Sequence, residues 1–147
     1  MDLKRSANGP KSQLEKAFQR AGEVDVLDSQ TLAVLRGLER PDDTIAFLDD
    51  LIDTFVKETP EILASLVTAI EDQNAPTIAH LSHQLKGLSG NIGVTRLSAL
   101  CVVIEDNASM LDDLEGICRL LNQAHADSIQ ELQEGWKRSK VPDSRDS

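Results

Sequence analysis

Aromatic residues are scarce in this chain of 147 residues, which contains three Phe, one Trp and no Tyr. Leu, Ala and Ile must therefore fill the interior, and they suit helix packing better than a sheet rich in aromatic and β-branched residues. Apolar residues still make up 40% of the chain, which is enough for one domain with its own core. The composition predicts an all-α fold.

Basic residues are outnumbered, since 15 Lys and Arg face 25 Asp and Glu and give a formal net charge of −10. A protein that binds nucleic acid without sequence preference needs a basic surface to displace counterions. Attraction to an anionic membrane surface also requires positive charge. We therefore expect direct contact with neither nucleic acid nor membrane.

Long apolar runs are missing too, because no stretch approaches the ~20 residues that a membrane-spanning helix needs. The start of the chain, MDLKRSANGPKSQ, lacks the apolar core of a signal peptide. Cys101 and Cys118 lie in apolar helical patterns, which favours buried thiols over a disulfide or a reactive thiol. These features predict a cytoplasmic location, unless the chain belongs to a larger, membrane-anchored protein.

Apolar residues recur at steps of three and four along most of the sequence, which predicts helices. The predicted helices cover 11–21, 28 to before Arg40-Pro41, 42 or 43 to about 72, 75–91, 95–108, and 112 or 113 onward. Pro60 predicts either a kink or two helices meeting near Thr59. The pattern indicates an antiparallel four-helix bundle with one or two short extra N-terminal helices.

The expected organisation has three parts. Residues 1–24 form a polar N-terminal arm with a short helix, residues 25–138 form the bundle, and residues 139–147 form a polar tail.

The helix predicted over 75–91 has one apolar side. Its apolar residues recur at steps of three and four: Ile78, Leu81, Leu85, Leu88 and Ile92. At about 100° per residue these five share one sector of the helix. His83, Lys86, Gly87 and Gly90 fall on the opposite side, so His83 should be exposed to solvent.

The two glycines of this helix need a reason, because a glycine within a helix costs about 1 kcal/mol relative to alanine. Gly87 and Gly90 face away from the apolar side, so close packing against a neighbouring helix does not explain them. Small residues beside His83 would leave its imidazole open to a large partner. The alternative is that they mark a fraying C-terminal turn.

Acidic residues are missing between Asp72 and Glu105, although Lys86 and Arg96 lie in that stretch. A phosphoryl group adds about −1.5 to −2 charges near neutral pH, and nearby carboxylates would repel it. Lys86, one turn after His83, can offset that charge. A neutral imidazole is also a competent nucleophile near pH 7. The surroundings of His83 are therefore predicted to tolerate an anion.

The run HQLKGLSGNIG, residues 83–93, resembles the signature of histidine-containing phosphotransfer (Hpt) domains: His-x-Leu-Lys-Gly, then small residues and a second Gly. The flanking segments LDDLIDTFVKETPEILASL and TRLSALCVVIE are similar as well, so the resemblance covers roughly residues 25–135.

The resemblance implies a role for each matching residue. His83 would accept the phosphoryl group, Lys86 would neutralise its charge, and Gln84 would hydrogen-bond near the imidazole. Gly87 and Gly90 would be kept small for partner access.

The resemblance also implies a four-helix bundle that takes the phosphoryl group from the aspartate of a receiver domain and passes it to another receiver. The partners would be response-regulator receiver domains or a hybrid sensor histidine kinase. Mg²⁺ would be held by the receiver, so the chain needs no cofactor of its own and has no autonomous catalytic activity.

Three other interpretations compete with this one. The first is a non-phosphorylated helical adaptor that binds partner proteins through the His83 face. The second is a zinc site on His80 and His83, which is disfavoured because no acid or cysteine is adjacent in sequence. The third is a conventional enzyme, for which no nucleophile with a recognisable base is evident.

Overall fold

The computed structural model describes residues 10–38 and 47–137, and all the regular secondary structure in this part of the chain is helical, without strands. The elements are α1 (Pro10–Gly22), α2 (Ser29–Gly37), α3 (Phe47–Glu71), α4 (Ala75–Asn91), α5 (Thr95–Asp106), α6 (Leu114–Glu131) and a terminal π-helical segment (Leu132–Lys137). Helices α3 to α6 form a closed ring in which each packs against the next and α6 returns to α3. The predicted all-α bundle with two short N-terminal helices is confirmed.

Polar side chains begin three of these helices where the sequence predicted a start. Asp28, Asn74 and Asp113 each accept a hydrogen bond from a backbone N–H of the first turn of α2, α4 and α6. Pro76 lies in the first turn of α4, where its missing N–H costs nothing. After α4, Gly93 has a φ of +77°, a conformation that favours glycine, and the chain turns into α5.

Helix α3 runs through Pro60 without interruption. The alternative of two helices meeting near Thr59 is therefore wrong, and the start predicted at residue 42 or 43 lies outside the described residues. Proline removes one backbone hydrogen bond. Buried residues on both sides of it, Phe55 and Leu63, hold the helix to the core across this gap.

The buried side of α4 differs from the predicted apolar side. The residues with almost no exposed surface are Ile78, Ser82, Leu85, Ser89 and Ile92. Leu81 and Leu88 are only half-buried. The centre of burial is therefore rotated by about 40° around the helix. Ser82 Oγ donates to the Ile78 carbonyl at 2.6 Å, which offsets the cost of burying its hydroxyl, whereas Ser89 Oγ is buried without a partner among the described residues.

Helix α1 packs against α5 and buries Leu14, Phe18 and Ala21 in the common core. Its packing shows that the predicted N-terminal arm, 1–24, contains a docked helix. The boundaries at residues 24 and 138 stay predictions. Residues 1–9 and the tail 139–147 lie outside the described residues.

The segment between α1 and α2 is attached to the turn between α4 and α5. The Asp28 backbone N–H donates to the Gly93 carbonyl at 2.7 Å, and Arg96 Nε donates to the Val24 carbonyl at 2.7 Å. These bonds fix the N-terminal helices to the end of α4 that lies two turns beyond His83. None of the described helices combines the length and the apolar character that crossing a bilayer requires.

Candidate functional site

His83 lies in the middle of α4 on its outer surface. Its side chain is 67% exposed. By helical periodicity it lies about 140° from the centre of the buried side. The predicted exposure of the imidazole is confirmed.

Glu105 of α5 contacts the imidazole from one side. His83 Nδ1 lies 3.0 Å from Glu105 Oε2. A carboxylate oxygen can only accept, so Nδ1 carries the proton of the neutral ring, and Nε2 keeps its lone pair. Within the described ranges Nε2 makes no hydrogen bond. The contact with Glu105 therefore orients the ring and leaves Nε2 without a hydrogen bond to the described residues.

Lys86 binds the other oxygen of the same carboxylate. Its Nζ donates to Glu105 Oε1 at 2.9 Å, and its side chain is 32% exposed. The hydrogen bond from Lys86 is the main reason why the pKa of Glu105 lies below its ordinary value, and the hydrogen bond from His83 acts in the same direction against partial burial. Glu105 is therefore a carboxylate at neutral pH, and it links the imidazole to the ammonium group.

Glu105 corrects the prediction that the surroundings of His83 lack acids. The prediction counted charges along the chain, where Glu105 is the first acid after the gap, but α5 runs antiparallel to α4 and returns it to the site. His83 and Glu105 each lie eleven residues from Val94. Gly90 and Ser98, which also face each other, each lie four from it. The equal spacing of these pairs from Val94 is the feature of the sequence that could have predicted the contact between His83 and Glu105.

The two glycines leave open surface next to the imidazole. A Cβ placed on Gly87 would meet no atom within 4 Å, and one on Gly90 would lie 3.5 Å from Ser98 Oγ, an ordinary contact. The fold therefore demands glycine at neither position. Because α4 continues to Asn91, Gly87 lies a full turn inside the helix and does not belong to a fraying end.

Gln84 and His80 are both exposed and lie outside the hydrogen-bonded group. Gln84 makes no hydrogen bond to the imidazole within the described part of the chain, and Glu105 occupies that role instead. The exposure of His80 shows that it does not enter the core. No three His, Cys, Asp or Glu side chains among the described residues come together as a metal site.

The cysteines are buried and free, as predicted. Cys101 precedes Glu105 by one turn of α5, and burial is the main cause that raises the pKa of its thiol to about 12. A thiol with this pKa is almost entirely protonated at neutral pH and is a poor nucleophile.

His125 of α6 is a structural residue in the bundle interior. Its Nε2 lies 2.8 Å from Thr59 Oγ1, and that hydroxyl donates to the Phe55 carbonyl at 2.7 Å. The hydroxyl has one proton, so Nε2–H must be the donor to Thr59. Burial holds the pKa of His125 below its ordinary value, so the ring is neutral in the folded protein.

Comparison with known proteins identifies the family and the fold of this chain. The Hpt domain family matches residues 50–135, which is more than half of the chain and includes all of α4 and α5. The fold is similar to the crystal structure of histidine-containing phosphotransfer protein B (HptB) from Pseudomonas aeruginosa, with a TM-score of 0.67 and 26% identity. That similarity covers 79% of this chain and 98% of HptB. The sequence has no significant match among curated proteins.

An exposed imidazole on a glycine-containing helix, within the matched segment of an all-helical bundle, agrees with that assignment, and the chain belongs to the Hpt domain family.

Proposed function

We propose that this protein is a phosphorelay intermediate that accepts a phosphoryl group on His83 from the aspartate of one receiver domain and passes it to another. The observation that carries the proposal is the exposed imidazole with one ring nitrogen engaged: Nδ1 of His83 is held by Glu105, and the side chain is 67% exposed. Membership of the Hpt family supports a phosphotransfer role.

In the forward step, the lone pair of Nε2 attacks the phosphorus of the partner's aspartyl phosphate. The Nε2–P bond forms, the bond from phosphorus to the aspartate oxygen breaks, and the partner's carboxylate leaves. In the return step a receiver carboxylate attacks the same phosphorus, and Nε2 recovers its lone pair. The Nδ1 proton stays on the ring in both directions, so the transfer needs no general base on this chain.

Glu105 and Lys86 share the electrostatic work in this mechanism. A ring that carries both the Nδ1 proton and the phosphoryl group is cationic, and the Glu105 carboxylate at 3.0 Å stabilises that charge. The phosphoryl group brings about −1.5 to −2 charges. Lys86, one turn away and partly exposed, can turn from Glu105 toward the phosphoryl oxygens. Gln84 is available on the exposed surface as a further polar contact.

The partner supplies the rest of the chemistry in this proposal. Response-regulator receiver domains, or a receiver within a hybrid sensor histidine kinase, would bind Mg²⁺ and activate the aspartate. This chain would contribute a positioned nucleophile and no autonomous catalysis. The proposal includes the cytoplasmic location expected from the sequence.

The test is transfer from a phosphorylated receiver to the full chain, followed by detection of an acid-labile phosphohistidine. His83→Gln should abolish labelling and leave helicity unchanged, because the side chain is exposed. His80→Gln, one turn earlier on the same helix, is the matched control and should be labelled normally. Labelling that persists in His83→Gln, or a receiver complex that forms without any labelling of the native chain, would favour the adaptor interpretation and refute the proposal.

A further inference from the structure

A second feature lies away from His83, between the N-terminal helix and the last helix of the bundle. Helix α1 packs closely on α5, and a groove of about 630 Å³ remains between α1 and the first half of α6. On α1 its lining extends from Leu14 to Gly22, eight steps of about 1.5 Å, so the groove is about 12 Å long.

The floor of the groove is apolar. It consists of Leu14 and Phe18 from α1 and Ile117 and Leu120 from α6. Leu120 stays 40% exposed at the surface of the groove. Leu14, Phe18 and Ile117 are themselves mostly buried, so Leu120 contributes most of the apolar surface that this four-residue strip exposes.

The rim of the groove is negatively charged. Glu15 and Glu23 on α1 and Asp113 at the start of α6 are exposed along it, and Arg119 is the one cation among the described lining residues. The rim is thus unlike the His83 surface, where Lys86 balances Glu105. A ligand that covers the apolar strip has to place positive charge at its edges.

We propose that this groove binds an amphipathic helix of a partner protein, with apolar residues at steps of three and four on the strip and Lys or Arg residues at the rim. An elongated apolar channel between two helices matches the helix-in-groove mode of recognition. The groove includes α1, which precedes the segment matched by the Hpt family, and none of its lining residues lies on α4. The site is therefore separate from His83 and can be occupied during phosphotransfer.

The probe is a fluorescent peptide of about 18 residues, or five helical turns, built from Leu on one side and Lys on the other. Fluorescence anisotropy with the full-length chain measures its affinity. Two control peptides have the same length: one with Glu in place of Lys, and one with the Leu and Lys order scrambled. The amphipathic Lys peptide should bind, and both controls should bind at least about tenfold more weakly.

Variants of the protein locate the binding site. Leu120→Asp should weaken the amphipathic peptide by about tenfold or more, because it places a charge in the centre of the strip. Val34→Asp is the matched control, since Val34 is 65% exposed on α2 and lies outside the groove. Glu15→Lys combined with Glu23→Lys should weaken binding far more than Glu58→Lys combined with Glu61→Lys, a pair on α3 with the same change in net charge.

Phosphotransfer to His83 should proceed at the native rate in Leu120→Asp, so failure of this proposal and failure of the relay can be told apart. Circular dichroism checks that each variant is folded. If Leu120→Asp does not fold, the charge reversal of Glu15 and Glu23 tests whether the peptide binds in the groove. Equal binding of the scrambled peptide, or equal effects of the two double reversals, would overturn the proposal. So would sedimentation showing that Leu120→Asp converts a dimer into a monomer, because the occupant would then be a second copy of the chain.

Discussion

Replacing Gly87 with alanine should change stability and phosphotransfer in opposite directions. The added Cβ would meet no atom of the protein within 4 Å. Alanine within a helix is more stable than glycine by about 1 kcal/mol. The unfolding free energy of Gly87→Ala should therefore rise by about 1 kcal/mol, and the thermal midpoint by about 3 °C for a chain of this size.

The same methyl group lies one turn after His83, on the surface that a receiver must cover to reach Nε2. An extra methyl in a tight interface costs about 1–3 kcal/mol. Transfer from a phosphorylated receiver should therefore slow by about 5- to 100-fold. Phosphorylation by a small phosphodonor needs no such interface, and its rate should stay at the native value.

Urea unfolding measures the first effect, and rapid-quench transfer from a radiolabelled receiver measures the second. Gly37→Ala is the matched control, because a Cβ at Gly37 also meets nothing within 4 Å but lies on α2. A less stable Gly87→Ala would show that the fold itself requires glycine. Native transfer rates in a stabilised Gly87→Ala would show that the receiver does not cover this surface, and the explanation of the glycine would be wrong.

Three further predictions concern charge and protonation. Lys86→Ala should slow accumulation of phosphohistidine by about 10- to 100-fold, because a hydrogen bond to a charged group contributes about 1.5–3 kcal/mol. Equal rates in Lys86→Ala and the native protein would exclude Lys86 from phosphate binding. Glu105→Gln keeps a hydrogen-bond acceptor for His83 Nδ1–H, so it should accept the phosphoryl group faster than Glu105→Ala in the same rapid-quench assay. An equal loss of transfer rate in both variants would mean that the negative charge matters more than the hydrogen bond. Burial holds the pKa of His125 below 6.5 in the folded chain. As the pH falls below about 6.5, the unfolded chain therefore binds a proton at His125 that the folded chain does not bind. The free energy of unfolding should then decrease by up to about 1.4 kcal/mol per pH unit. Urea titrations between about pH 7 and 5.5 should show this slope in the native protein and in His80→Gln but not in His125→Gln, and a slope that persists in His125→Gln would contradict it.

Helix α4 could be predicted to the residue because its limits have local causes. Asn74 and Pro76 begin it, and Gly93 ends it through a backbone conformation that other residues avoid. The exposure of His83 followed from periodicity alone. The Hpt signature then assigned a role to that exposed position.

The errors came from interactions that a single helix does not reveal. Counting apolar residues missed the buried Ser82, whose hydroxyl donates to a carbonyl of its own helix. The predicted buried side of α4 is therefore rotated around the helix axis relative to the observed one. Counting charges along the chain missed Glu105, because its contact with His83 depends on how α4 and α5 pair. Of the two alternatives for Pro60, a kink or two helices meeting near Thr59, the second is wrong because α3 continues through the proline.

The central claim is that His83 reacts through Nε2 while Glu105 holds Nδ1–H. Nitrogen-15 NMR of the histidine side chains, recorded before and after transfer from a phosphorylated receiver, tests it directly. The account predicts the Nδ1–H tautomer for His83 before transfer and a phosphorus coupling at Nε2 afterwards. Phosphorus on Nδ1, or on any side chain other than His83, would contradict it.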